Sequence, residues 1–207
     1  MPPELRDLID PAHTAVVTQE CQKGVLGSDV VFPQLAEIAS AEMIPNGARL
    51  LKAARAAGVN VVHCIAARRV DGRGYNTNAR LFGAARKSGI VLQPGTEATA
   101  VIDEFAPDDT DIISMRMHGI GPMWDTDLDP ILRNLEVKTI VAIGVSVNIG
   151  LTNLVMDAVN AGYQVVLPRD AVAGIPVEYA NAIIDNTLSL LTTLVTTDEV
   201  IEALSNL

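Results

Sequence analysis

Aromatic residues are scarce: three Phe, three Tyr and one Trp among 207 residues. A core short of large rings has to be built from Ala, Val, Ile and Leu, which suits helices laid on a parallel sheet. Cysteine is nearly absent. Cys21 and Cys64 make no disulfide framework, so a reducing cytoplasm is the expected location. Basic residues are outnumbered, 15 Lys and Arg against 25 Asp and Glu, and the net charge is −10. That balance argues against nucleic acid or an anionic membrane as the main partner. No apolar run approaches the roughly 18 residues of a membrane span. The opening Met1-Pro2-Pro3-Glu4-Leu5-Arg6-Asp7 lacks the apolar stretch of a secretory leader. Three histidines, His13, His63 and His118, have no ligand spacing, so no metal is expected. Phosphate-cradling GxxxxGK[ST] is missing, and GxGxxG does not follow the first strand, so no nucleotide cofactor is expected either.

Apolar residues nonetheless make up 49% of the chain and charged residues only 19%, enough for a sizeable core. The pattern alternates. His13 to Gln19 reads as a first strand. Pro45 to Ala57 reads as an amphipathic helix with proline in its first turn and Gly58 as its stop. Val59 to Ile65 is a second strand. Ala66 to Gly95, rich in Arg, Gly and Asn, is long for a loop, with a short helix near Thr77 to Lys87. Strand 3 starts at Asp111 to Ser114. Asp127 to Leu135 has helical spacing, with Leu128, Ile131, Leu132 and Leu135 on one face. Thr139 to Val145 is the most apolar strand and is expected at the centre. A helix over Ile149 to Ala161, a strand over Gln164 to Pro168 and a helix over Val177 to Leu191 follow. An edge strand at Val195 and a helix over Asp198 to Leu204, capped by Asp198, complete the chain. One domain, residues 1–207, is expected: a three-layer α/β/α, Rossmann-like fold with a mostly parallel sheet of about six strands. In such sheets ligands sit beyond the C-terminal strand ends. Those ends are Gln19 to Gln22, Ala66 to Arg68, Met115-Arg116 and Val145 to Gly150.

The order of four segments resembles the isochorismatase-like hydrolases, also called the cysteine hydrolase family. They are Thr14 to Gln22, where the family has an apolar strand ending in Asp-x-Gln; Pro94-Gly95-Thr96-Glu97 with Pro107 and Asp111; Thr126-Asp127-Leu128; and Gly144 to Gly150, followed by Thr152, Asp157-Ala158, Gly162-Tyr163 and Asp170-Ala171. The resemblance covers about residues 10 to 195. It implies the fold above, a small-molecule substrate, a homodimer or homotetramer, and a cis peptide at Val145–Ser146.

It departs from the family where the chemistry sits. Family amidases use an Asp, a Lys and a Cys whose thiol lies at a helix N-terminus. Here those positions read Glu20, Arg116 and Gly150. Without a side chain at 150 there is no nucleophile. Glu20 as a carboxylic acid could protonate a vinyl ether, with water capturing the oxocarbenium ion. Arg116 could hold Glu20 as its anion or bind a substrate carboxylate, but cannot act as the acid. The alternative is a buried Glu20–Arg116 pair in a binding or structural protein without turnover. Ser146 and the N–H groups of Ile149 and Gly150 are expected to face the same cavity. Cys21 is expected to be structural. Arg68, Arg69, Arg73 and Arg80 offer a cationic rim, with Arg73 taken as a substrate contact. His118 is placed in the cleft, and Trp124 either walls it or fills a subunit interface.

Overall fold

The computed structural model describes residues 4–205; the first three residues of the segment weighed above as a leader lie outside that range. Seven strands form one parallel sheet: β1 (Thr14–Gln19), β2 (Asn60–Ala66), β3 (Ile112–Arg116), β4 (Thr139–Val145), β5 (Gln164–Pro168), β6 (Val172–Ala173) and β7 (Thr193–Val195). The order is β3-β2-β1-β4-β5-β7, with β6 pairing beside the end of β4. The additional strand beyond the six expected is β6, two residues that the sequence pattern is too short to announce.

Both faces of the centre of the sheet are covered, so alternate residues of β1, β2 and β4 enter different cores. Val16, Val61, Val141 and Ile143 face Leu50, Leu51 and Met43 of helix Met43–Ala56 together with Val200 and Leu204 of helix Thr197–Ser205. Ala15, Val17, Val62, Ile140 and Ala142 face Leu128 and Leu132 of helix Leu128–Asn134 and Leu154 and Val155 of helix Thr152–Asn160. Strands buried on both sides favour long apolar runs, and β4 supplies one, while β1 is buried throughout with an apolar centre at Ala15 to Val17.

Several boundaries differ from the sequence reading, each for a local reason. The helix expected from Pro45 starts two residues earlier, at Met43; a proline in the first turn removes an N–H that has no intrahelical partner anyway. Helix Pro33–Ala41 was not expected; it is short, and Pro33 at its first position marks its start. The helix over 177–191 stops at Asn186 and continues as a separate 3₁₀ turn, Leu188–Leu190. The last helix is capped by Thr196 rather than by Asp198. The Thr196 hydroxyl accepts from the Glu199 N–H, and Glu199 accepts from the Thr196 N–H, a capping box. Asp198 instead lies inside the helix and pairs with Arg49.

A polar cluster is sealed between β1, β2 and β3. His63 Nδ1 meets the Thr18 hydroxyl at 2.9 Å and its Nε2 meets Asp111 at 3.0 Å, while Arg55 pairs with the same carboxylate. Burial holds the imidazole below its ordinary pKa, against the opposing pull of Asp111.

Candidate active site

The C-terminal ends of β1, β3 and β4 converge on one cavity of about 90 Å³. Glu20 lies just past β1 in the left-handed region, φ 54°, and its N–H donates to the Cys64 carbonyl at 2.8 Å. This turn lifts its carboxylate out of the strand's alternation and into the cavity. Arg116, the last residue of β3, donates from Nη2 to Glu20 Oε1. The guanidinium side chain is 6% exposed and the carboxylate side chain 22%. Arg116 Nε and Nη1 have no protein partner.

The opposite wall comes from the end of β4. The Val145–Ser146 peptide is cis, and the chain then makes a π turn, Val147–Leu151, before helix Thr152–Asn160. Apolar patterning over Ile149 to Ala161 gave no sign of this turn, so the regular helix begins three residues later than expected. Ser146, Ile149 and Gly150 line the cavity with Glu20 and Arg116. The Ile149 N–H does not point at a ligand: it donates to the Ser146 carbonyl at 3.1 Å, because the tight turn satisfies it internally. The Leu151 N–H reaches the same carbonyl at 3.0 Å.

The rest of the lining is apolar. Val25, Phe32 and Leu35 come from the segment after β1, and Tyr75, Leu81, Phe82 and Leu92 from the long stretch after β2. Tyr75 and Phe82 pack edge to face with centroids 5.5 Å apart. Burial raises the Tyr75 phenol above its ordinary pKa. The stretch after β2 therefore supplies walls, not the cationic rim expected of it. Arg68 donates to the Ile90 carbonyl at 2.7 Å and lies over the Tyr75 ring; Arg69 pairs with Asp71. Arg73 and Arg80 are exposed and outside the cavity. His118 Nε2 is 3.1 Å from the Asp125 carbonyl and lies in a separate surface cleft with Trp124, which is 74% exposed. Neither lines Glu20's cavity, although the two hollows adjoin at Phe82, Gly119 and Ile120: the Trp124 side chain stays in solvent and the His118 ring is engaged at the Asp125 carbonyl.

Cys21 is buried beside Glu20, its thiol donating to the Gln19 carbonyl at 3.6 Å. Burial raises its pKa strongly, and Cys64 is pushed up to about 12 for the same reason. Gln22 is a structural clamp: its Nε2 donates to the Ala66 carbonyl and its Oε1 accepts from the Ala66 N–H, fixing the end of β2 beside β1. Sequence reasoning missed Gln19 and the apolar wall. The signal for Gln19 was available: it is a long polar side chain at the end of a strand whose other residues are apolar or threonine. Among the described residues, no group of three or more His, Cys, Asp or Glu side chains could hold a metal ion.

Residues 14–199 match the family described as the Isochorismatase domain. The ureidoacrylate amidohydrolase RutB of Rhizobium rhizogenes (strain K84 / ATCC BAA-868) is 28% identical, over 79% of this chain and 71% of that protein. A solved cysteine hydrolase from Pseudomonas syringae pv. phaseolicola 1448A superposes with a TM-score of 0.81 at 25% identity, covering 96% of this chain and 95% of that one. N-carbamoylsarcosine amidase from Thermoplasma acidophilum shares the fold, with a TM-score of 0.71 at 20% identity over 90% of this chain and 97% of that one.

Proposed function

The chain belongs to the isochorismatase family, and on that premise we propose that it hydrolyses a small, largely apolar molecule without a cysteine nucleophile. The observation that carries the reading is the Glu20 carboxylate, held on one side by Arg116 and open on the other to an apolar cavity. Gly150 offers no atom for a covalent intermediate, and on this reading water is the nucleophile. A carboxylate in an ion pair is an acceptor with no proton to give. Glu20 therefore takes a proton from water as the oxygen attacks the substrate's electrophilic carbon, while the positive charge of the Arg116 guanidinium at the cavity wall favours the negative charge that develops. Vinyl ether cleavage runs in the other direction: Glu20 first has to acquire a proton, then passes it to the enol-ether carbon, and water captures the cation.

Ligand binding without turnover is the second reading. It is favoured by the closeness of the Glu20–Arg116 pair, which engages the carboxylate already. The two readings part on one experiment. The purified protein is assayed against isochorismate, nicotinamide, carbamoyl-amines and simple amides. The hydrolase reading expects turnover of one of these, a loss of about 10²–10⁴-fold in Glu20→Gln, and full activity in Cys21→Ala and after thiol alkylation. Saturable binding of a panel compound with no hydrolysis would establish the second reading. Assembly as a homodimer or homotetramer belongs to the same proposal. It is supported by exposed Ile113 and Met115 on edge strand β3 and exposed Trp124, and a monomer mass by light scattering at micromolar concentration would reject it.

A further inference from the structure

Gln19 ends β1 as a polar side chain with no exposed surface. Neither Nε2 nor Oε1 of its carboxamide has a hydrogen-bond partner in the protein. A buried amide in that state is unfavourable, so its place in the core needs a reason. The reason lies beside it, at Gly150. A Cβ on Gly150 would stand 2.8 Å from Gln19 Nε2, 3.5 Å from its Cδ and 3.6 Å from its Cγ. The first of these is closer than non-bonded atoms tolerate. Nε2 ends a flexible chain, but a side chain sealed on all sides has no solvent to swing into. Nor does the backbone ask for glycine at 150, because its φ is not among the positive values found at eight other glycines. Space, not conformation, is what glycine supplies there.

We propose that Gln19 and Gly150 act as one determinant of reaction type. The Gln19 carboxamide fills the volume that a side chain at 150 would need, so β1 closes this position to a protein nucleophile independently of the residue at 150. The inference rests on the cysteine-independent reading above and deepens it. Restoring a cysteine at 150 is then a two-residue change, and the second residue is 19. Valine is the apt replacement, since it suits a strand and carries no polar atom to leave unpaired.

The test is a double-mutant cycle in the full chain: Gln19→Val, Gly150→Ala, Gly150→Cys, and each 150 variant combined with Gln19→Val. Melting temperature reports the packing. Alkylation by iodoacetamide, followed by intact mass, reports access to the new thiol. Cys21 and Cys64 are buried with raised pKa values, so the native background is silent. Gly150→Ala is expected to lower the melting temperature by about 3–10 °C, the scale of overpacking in a chain of this size. In the Gln19→Val background that loss should fall by at least half. The thiol introduced by Gly150→Cys should alkylate at least tenfold faster when combined with Gln19→Val than in the single variant. Should Gly150→Cys fail to fold, the alanine cycle still decides. Additive melting shifts, or equal alkylation rates in the two backgrounds, overturn the proposal. Neither readout involves turnover, so a failure of the Glu20 mechanism and a failure of this pairing are told apart.

Discussion

The two partners of the buried ion pair should not be equally costly to neutralise. Glu20→Gln keeps an acceptor but removes the charge, and it leaves Arg116 as a cation whose side chain is 6% exposed and whose Nε and Nη1 already lack partners. Arg116→Met leaves a carboxylate that is 22% exposed and opens onto a cavity. Removing one partner of a buried pair costs about 3–5 kcal/mol. The isolated Arg116 belongs in that range. The isolated Glu20 belongs nearer about 1–2 kcal/mol, because solvent reaches it and because Arg116→Met also removes two desolvated, unpaired donors. At about 2–4 °C per kcal/mol for a chain of this length, Glu20→Gln should melt roughly 6–20 °C lower and Arg116→Met roughly 2–8 °C lower. The double variant should lose less than the sum. Thermal unfolding followed by circular dichroism at pH 7 reads all three. An Arg116→Met loss equal to or larger than that of Glu20→Gln would refute the reasoning, since it would mean that the carboxylate is the more dependent partner.

His63 is held below its ordinary pKa in the fold by burial. The unfolded chain therefore takes up that proton first as pH falls, so the His63 contribution is complete above about pH 6.5 and is lost progressively below it. Melting temperature should drop more steeply between pH 7 and pH 5 in the wild type than in His63→Gln; equal slopes would show that the imidazole is not the titrating group. Native protein should resist iodoacetamide at both cysteines and react at two sites once unfolded, because Cys21 and Cys64 are sealed; rapid native labelling would place one of them at the surface. Gly47→Ala should destabilise by about 1–3 kcal/mol in a denaturant titration, although alanine normally favours a helix interior. Its Cβ would overlap Cζ of the fully buried Phe105 ring, and a stabilised variant would contradict that packing.

What the sequence announced, and what it hid, follow from the range of the forces involved. The strand over Thr139 to Val145 is found with the limits read from its apolar run, because burial on both faces demands every residue in it. Helix Leu128–Asn134 shows its periodicity for a similar reason: one face, with Leu128 and Leu132, is fully buried. The π turn at Val147–Leu151 has no such local signature, since Val147, Ile149 and Leu151 are equally at home in a regular helix. In the stretch after β2 the arginines dominate the composition, but charged side chains remain in solvent or find local partners. Tyr75, Leu81, Phe82 and Leu92 are too widely spaced to read as one surface and become a wall only when the chain folds over Glu20. Gln19 was visible as a polar residue in an apolar strand, yet its meaning depends on Gly150, 131 positions away in sequence and in contact across the sheet.

These departures fall on one spatial unit. In the pattern the chain resembles, a carboxylate, a cation and a thiol meet at three strand ends. On the proposed reading the carboxylate is Glu20 and the cation is Arg116, each with a longer reach than the Asp and Lys of the pattern, and the two meet across the ends of β1 and β3. The third corner has no side chain, and Gln19 fills the room beneath it. A centre that had merely lost its nucleophile would leave its charged residues facing an open space where the thiol had been. On the proposed reading, this one keeps the opposite charges together at the cavity wall and closes off the position of the covalent step. On the hydrolase reading, a carboxylate fixed by a guanidinium can accept a proton while the cation beside it favours a developing anion, and both are useful to water. Covalent catalysis of the family's kind needs a thiol within reach of its base, and among the described residues no cysteine lines this cavity.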